Sequence, residues 1–159
     1  MSFSLTSPEF PPRGEIPTRC TCEGEDTSPP LEWSDVPART RSFALIVEDP
    51  DAPDPRAPKR TWVHWVVYNV PRTARSLAEG VGRGGLPSGA SVGKNDWQQM
   101  AYGGPCPPIG RHRYFFKLYA LDTVLPAVGS PTKAFLEGMM RGHVLGQCEL
   151  IGTYQKKHH

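Results

Sequence analysis

The sequence predicts a mainly β protein, a sandwich of two antiparallel sheets with one or two short peripheral helices. Three long segments alternate their side chains with the period of two that is typical of strands, and one segment has helical spacing. The 18 prolines and 16 glycines indicate many turns. Because a sheet must bury its apolar face against another layer, two stacked sheets are the simplest arrangement. The length of 159 residues fits one domain over residues 1–159.

The first alternating segment runs from Ser42 to Asp49 and predicts a strand with a fully buried face. Asp49 ends this strand on the same side as Phe43. The second segment, from Thr61 to Val70, is apolar on both sides and is therefore predicted to be a central strand. One of its faces holds Trp62, His64, Val66 and Tyr68, and the other holds Val63, Trp65 and Val67.

The third alternating segment runs from Arg113 to Asp122, and its core face includes Tyr114. Because alternate residues of a strand point the same way, His112 lies on the side of Tyr114 if the strand begins earlier. A helix is predicted near the C-terminus, with Ser130 as its N-cap and Pro131 as its first residue. A last strand follows at about 145–154. Between the second and third strands, residues 80–110 form a long loop, which is usually functional in a compact domain.

Composition narrows the choice of partners and compartment. The net charge of +2 comes from 18 basic and 16 acidic residues that are scattered along the chain, so no nucleic-acid partner is predicted. No apolar run of about 18 residues and no signal peptide are present, so we predict no transmembrane segment and a cytoplasmic location. In that reducing compartment all four cysteines, Cys20, Cys22, Cys106 and Cys148, are expected to be free thiols. No cysteine and histidine spacing completes a zinc site, so neither a metal nor a cofactor is predicted.

Five polar residues stand at the ends of, or within, otherwise apolar strands: Asp49, Asp51, His64, His112 and Tyr114. A buried polar group without a partner costs roughly 1 to 3 kcal/mol, so these side chains are expected to meet one another. Imidazole and hydroxyl groups can donate to an anionic oxygen, whereas the two carboxylates are better suited to accepting the N–H of an imidazole or to capping loop amides. In the first case Asp49 and Asp51 orient the ring of His64. The pattern predicts an anion pocket. Taken alone, His64 also fits the simpler interpretation of a satisfied core histidine.

The loop GGPCPPIG at 103–110 is predicted to form a rigid wall, and its X-Pro bonds are candidates for a cis peptide. An ordinary rigid turn explains the same residues. Cys106 lies in this loop, so a hydrolase or thiol-dependent enzyme using His64, His112 and Cys106 is the alternative function. Cys20 and Cys22 together could chelate a metal, but two thiols are a weak signal beside free, partly buried cysteines.

Four motifs together resemble the phosphatidylethanolamine-binding protein family, and more closely its bacterial and archaeal Raf-kinase-inhibitor-like branch. They are CEGEDTSPPLEW at 22–33, DPDAP at 49–53, WVHWVVYNVP at 62–71 and GGPCPPIGRHRYFFKLYALD at 103–122. The resemblance implies a Greek-key sandwich with a small pocket for phosphate or a phospholipid head group. The implied ligand-binding residues are Asp49, Asp51, Trp62, His64, Gly104, Pro105, Cys106, His112 and Tyr114.

The resemblance also implies a non-enzymatic binding protein that takes a small anion or phosphorylated ligand. It further implies a protein partner, as in a kinase or protease inhibitor, and a homodimer.

Two features depart from the eukaryotic members of the family. The chain ends soon after its last strand instead of adding a helix over the pocket, and Gly104-Pro105-Cys106 stands where those members have Gly-Pro-Pro. As a third alternative, a loop such as 80–89 makes the inhibitory contact and the pocket is vestigial.

Overall fold

The computed structural model describes residues 2–82 and 84–158. Within these residues the chain forms eight strands, one 3₁₀ helix at Thr18–Cys20 and one α-helix, α1, at Lys133–Met140. The strands are β1 Ser4–Thr6, β2 Leu31–Ser34, β3 Ser42–Ala52, β4 Arg60–Pro71, β5 Ser76–Leu77, β6 Ser91–Val92, β7 Arg111–Leu121 and β8 Val144–Gln155. The prediction of a mainly β protein with a short helix is confirmed.

The strands make two sheets with antiparallel pairing throughout. The larger sheet has the order β6-β4-β3-β7-β8, and the smaller has the order β1-β2-β5. The four long strands were predicted, three of them from their alternation, whereas four strands of two to four residues were not predicted. Such short strands present too few residues for a periodic pattern.

Both faces of the larger sheet are buried along most of β3 and β4. One face packs against the small sheet in a core that includes Trp33, Phe43, Trp65 and Phe116. The other face packs against α1 and the segment before it, through residues that include Ile46. The two apolar faces predicted for the second strand are explained by this arrangement, because β4 lies between two apolar layers.

Helix α1 begins later than the sequence predicts. Its N-cap is Thr132, whose Oγ1 accepts a hydrogen bond from the backbone N–H of Phe135 at 3.2 Å. The predicted cap at Ser130 was therefore two residues too early. Leu136 and Met140 are buried against the sheet, whereas Phe135 is 56% exposed.

A β-bulge in β4 changes the direction of His64. Val47 of β3 pairs with Trp65, and Glu48 pairs with Val63, so His64 is the extra residue between them. An extra residue interrupts the alternation of a strand and can turn a side chain to the other face. The His64 ring lies 5.2 Å from the Tyr114 ring, centroid to centroid, on the small-sheet side.

The prediction that His64 shares a face with Val66 and Tyr68 was therefore wrong. Those two residues belong to the core on the α1 side of the sheet. The bulge places His64 on the side of Tyr114, which belongs to the core against the small sheet.

Three other features bear on the predictions. Among the described residues the cis peptide bond is Ala52–Pro53. The X-Pro bonds of the 103–110 loop, which were candidates for a cis peptide, are therefore not cis. Apart from β6, residues 80–110 form loops and turns, as predicted, although residue 83 lies outside the described part. In the described chain no helix is both long enough and apolar enough to cross a membrane.

Candidate functional site

A cavity of about 420 Å³ lies where β3 ends and where β4 and β7 begin. Six of the nine predicted ligand-binding residues line it: Asp49, Trp62, His64, Cys106, His112 and Tyr114. The remaining lining residues are Ala52, Pro53, Lys59, Arg60, Trp97, Pro107 and Pro108. The ends of three neighbouring strands and the loop before β7 therefore bring the predicted polar groups to one place.

His112 and Asp49 form a buried pair in the wall of this cavity. The His112 Nδ1 atom lies 2.6 Å from Oδ2 of Asp49, and Nε2 lies 2.8 Å from the carbonyl oxygen of Ile109. Since a carbonyl and a carboxylate only accept, both ring nitrogens donate and the imidazole is positively charged. Burial acts to lower the pKa of His112, but the hydrogen bond and charge of Asp49 prevail and raise it.

His64 has the opposite arrangement. Its Nδ1 lies 2.7 Å from the carbonyl oxygen of Gly103 and therefore donates to it. The Gly103 N–H returns a bond of 3.0 Å to the backbone carbonyl of His64. Burial lowers the pKa of His64, although the Gly103 carbonyl and the charge of Asp49 act to raise it. His64 is a buried neutral imidazole, and the residue that orients its ring is Gly103.

Asp49 accepts from an imidazole, which is the kind of role predicted for the two carboxylates, but neither Asp49 nor Asp51 orients the predicted ring of His64. Asp49 orients His112 instead of His64, and its Oδ1 also accepts the Asp51 N–H at 2.7 Å. Asp51 is absent from the cavity lining and accepts three bonds from Arg113, from the backbone N, Nε and Nη2, at 2.9 to 3.0 Å. Burial acts to raise the pKa of Asp51, but the hydrogen bonds and charge of Arg113 together prevail and lower it.

Two donors lining the cavity lack partners. The Tyr114 hydroxyl and the Trp62 Nε1–H are buried without a hydrogen-bond partner among the described residues. Tyr114 is only 1% exposed, and burial raises the pKa of its hydroxyl well above the ordinary value, so it stays a donor. A buried donor without an acceptor costs free energy, which a ligand oxygen in the cavity would recover.

A disulfide links the loop at 103–110 to the segment that follows the 3₁₀ helix. Cys22 and Cys106 are bonded, so the prediction that all four cysteines are free thiols was wrong for this pair. Cys20 and Cys148 are free, as predicted. The free-thiol prediction assumed a reducing compartment and sequence positions alone, and 84 residues separate the bonded pair. In the disulfide, Cys22 and Cys106 have no thiolate to act as a metal ligand or nucleophile.

The other two loop residues predicted for the site lie beside the cavity. The Pro105 carbonyl accepts the Cys22 N–H at 3.1 Å, next to the disulfide. The Gly104 N–H donates to Oδ1 of Asp26 at 2.8 Å. A side chain at Gly104 would collide with the carbonyl oxygen of Cys20, so glycine is required there. Gly104 and Cys106 line a second, smaller cavity of about 230 Å³, together with Cys22, Asp26, Trp97, Gln99 and Gly103.

Of the seven lining residues that the sequence did not predict, three have an aromatic ring or a charge. The Trp97 ring packs edge-on against the rings of Trp62 and His64, at centroid distances of 5.5 and 5.0 Å. The buried side chain of Asn95 positions Trp97 by accepting its N–H at 2.9 Å. The other two are Lys59 and Arg60, exposed cations at the rim. Alternation along β4 places Arg60 on the side of Trp62, which is the signal that could have identified it.

A metal centre is not indicated by the geometry. The described residues contain no group of three or more His, Cys, Asp or Glu side chains placed to hold a metal ion. His112 donates from both nitrogens, so neither is free to coordinate a cation. The arrangement instead combines a fixed positive charge, two unused donors and a cationic rim, which suits a small oxyanion.

Comparison with known proteins gives matches over nearly the whole chain. The model of the phosphatidylethanolamine-binding protein family matches residues 6–155. A UPF0098 protein of Methanothermobacter thermautotrophicus is 48% identical over 155 residues, which cover 97% of this chain and 99% of the relative. The solved structure of a putative phosphatidylethanolamine-binding protein homologue from Chlamydia trachomatis has a TM-score of 0.90 and 42% identity, and covers 98% of this chain and 99% of that one. For Escherichia coli YbcL the TM-score is 0.89 at 38% identity, with 99% and 100% covered.

Proposed function

The chain belongs to the phosphatidylethanolamine-binding protein family, and from this premise we propose that it is a non-enzymatic binding protein for a small oxyanion. The family resemblance predicted from the four motifs is confirmed, with archaeal and bacterial relatives. The proposed ligand is phosphate or the phosphorylated head group of a larger molecule, bound in the cavity of about 420 Å³.

The observation that carries this proposal is the unpartnered hydroxyl of Tyr114. It lines the cavity together with the unpartnered Nε1–H of Trp62, next to the charged imidazole of His112. Because both N–H groups of His112 already donate within the protein, His112 attracts the ligand through its charge. Lys59 and Arg60 at the rim raise the local concentration of anions around the opening.

The alternative of an enzyme that uses His64, His112 and Cys106 lacks its nucleophile in this structure. Cys106 is bonded to Cys22, and a disulfide sulfur cannot be deprotonated to a thiolate. His112 cannot act as a base while both of its nitrogens donate. A thiol mechanism would require prior reduction of the disulfide, so binding is the function that the geometry favours.

A titration with O-phosphorylethanolamine tests the proposal. The ring signals of His64 and His112 should shift on addition of the ligand, while those of the exposed His143, which pairs with Asp122 elsewhere, should not. Tyr114→Phe should weaken binding by about tenfold, the value of one hydrogen bond to a charged acceptor. No shift at millimolar ligand concentrations would rule the oxyanion cavity out.

An inhibitor-like contact with a protein is a second candidate, favoured by exposed apolar residues around the cavity. Trp97 lines the cavity and is 40% exposed, and Ile109, whose carbonyl binds His112, is 52% exposed. A pull-down with a variant that combines Tyr114→Phe and His112→Ala separates the two roles. Partner capture that survives in this variant would place the contact outside the cavity.

A further inference from the structure

The hydrogen bonds of His64 fix which of its nitrogens carries the proton. The Gly103 carbonyl accepts from Nδ1 at 2.7 Å, so in the neutral ring Nδ1 bears the hydrogen and Nε2 bears a lone pair. Burial keeps the ring neutral, since it lowers the pKa of His64. The reciprocal bond from Gly103 N–H to the His64 carbonyl holds the two residues together. His64 is therefore a preset hydrogen-bond acceptor.

The accepting nitrogen belongs to the cavity. No described residue donates a hydrogen bond to Nε2, and His64 lines the cavity, so this nitrogen can accept from a ligand bound there. Charged and titratable groups of each neighbouring element line this cavity or act on the ring. They are Asp49 on β3, Lys59 before β4 and Arg60 at its start, His112 and Tyr114 on β7, and Asp26 in the loop after the 3₁₀ helix.

The cavity therefore combines one acceptor with two donors. A tetrahedral oxyanion that keeps one acidic hydrogen can satisfy all three, by donating its P–O–H to Nε2 of His64 and accepting from Tyr114 and Trp62. An oxyanion without a hydrogen would place a lone pair against Nε2. That repulsion is relieved only if His64 takes a proton from solvent, which its burial opposes.

Resting on the proposed function, we propose that the cavity selects protonatable oxyanions, namely inorganic phosphate and phosphomonoesters, over phosphodiesters and sulfate. Phosphomonoesters have a second pKa of about 6 and so exchange this hydrogen near neutral pH, whereas a diester has none to give. The complex holds one proton between Nε2 and the ligand oxygen, whether it arrives on the ligand or is taken up on binding. A free phosphomonoester is thus preferred to the diester head group of a membrane phospholipid.

The test compares ligands on the wild-type chain by calorimetry at about pH 6 and pH 8. O-phosphorylethanolamine and glycerophosphorylethanolamine share the amine and differ as monoester and diester, and phosphate and sulfate form a second matched pair. We expect the monoester and phosphate to bind roughly ten to a hundred times more tightly than their counterparts. At pH 8, titrations in two buffers of different ionisation enthalpy should show uptake of about one proton for each monoester bound.

The outcomes separate this inference from the function on which it rests. Equal affinities within the pairs, or monoester binding at pH 8 without proton uptake, would overturn the selection while leaving the oxyanion cavity in place. A failure of all four ligands to bind would overturn both.

A variant gives a further check on the assignment to His64. His64→Gln supplies an amide that can donate as well as accept, so the ratio between monoester and diester affinities should fall towards one. His143→Gln, at an exposed histidine paired with Asp122, should keep the wild-type ratio. An unchanged ratio of monoester to diester affinity in folded His64→Gln would show that His64 does not cause the selection. If this variant does not fold, the comparison of ligands on the wild-type chain still tests the proposal.

Discussion

His64 and His112 both lie beside the Tyr114 ring, and their hydrogen bonds give them opposite protonation states. The ring centroids are 5.2 Å and 6.4 Å from that of Tyr114. His64 donates once to a carbonyl and is neutral, whereas His112 donates to a carboxylate and a carbonyl and is charged. A strand bulge and one aspartate therefore give two similar side chains different chemistry within one cavity.

Asp49→Asn should lower the pKa of His112, because the asparagine provides no negative charge beside Nδ1. Since both partners are buried, the free energy of unfolding at about pH 6 should fall by roughly 1 to 3 kcal/mol. The affinity for phosphate at neutral pH should fall severalfold as His112 loses its charge. NMR titration of the His112 ring and urea denaturation measure these effects.

Asp51→Asn is the matched control for that variant. Asp51 pairs with the partly exposed Arg113 and does not line the cavity, so the pKa of His112 should change much less. A similar loss of phosphate affinity in both variants would contradict the specific role assigned to Asp49.

The pH dependence of stability should show the raised pKa of His112. A folded-state pKa above the ordinary value of about 6.5 adds stability that is fully present below pH 6.5 and is lost as pH rises through the folded pKa. His64 acts in the opposite sense, because its lowered pKa costs stability as pH falls below about 6.5.

Comparison of wild type with Asp49→Asn isolates the contribution of His112 from that of His64. The difference between their free energies of unfolding should be largest near about pH 6 and should shrink towards pH 9. Denaturation midpoints across this range measure it. A difference that stays constant with pH would show that the pair is not an ionic one.

Much of the sheet could be predicted from the sequence, because the long strands bury regular alternating faces. The same regularity misled the prediction for His64, since a bulge depends on the pairing of Val47 and Glu48 with β4 and leaves no mark in the local pattern. The cavity residues His112 and Tyr114 were placed correctly because β7 keeps its alternation through them. Local patterns therefore predict a face only where the register is unbroken.

The pairs of residues that are far apart in the chain but in contact in the fold could not be predicted from local sequence patterns. Asp49 stands 63 positions before His112, and Cys22 stands 84 positions before Cys106. The prediction that Asp49 orients His64 rested on their proximity in the chain, and the prediction of free thiols rested on the expected compartment. Which groups meet is decided by the antiparallel register of β3 with its neighbours and by the loops that follow.

Reduction of the Cys22–Cys106 disulfide should be required before iodoacetamide can label Cys106. Intact-mass measurement should show two additional alkylations after reduction in denaturant, compared with an unreduced sample in the same denaturant. Replacing both cysteines by serine should destabilise the fold by about 4.5 kcal/mol on the chain-entropy account for a loop of this length. Labelling of Cys106 without any reductant would contradict the disulfide. Cys148→Ser is the control for the serine substitutions, because it removes a free thiol and should lack the loss of stability that comes from breaking the disulfide.

Tyr114→Phe should separate ligand binding from stability. The Tyr114 hydroxyl is buried without a partner, so its removal should leave the free energy of unfolding unchanged or raise it by up to about 1 kcal/mol. Phosphate affinity should nevertheless fall by about tenfold, because the ligand loses a donor. Tyr154→Phe is the matched control, since its hydroxyl donates to Glu23 at 2.6 Å away from the cavity lining. That variant should lose stability and keep its affinity. A loss of stability without a loss of phosphate affinity in Tyr114→Phe would show that Tyr114 serves the fold rather than the ligand.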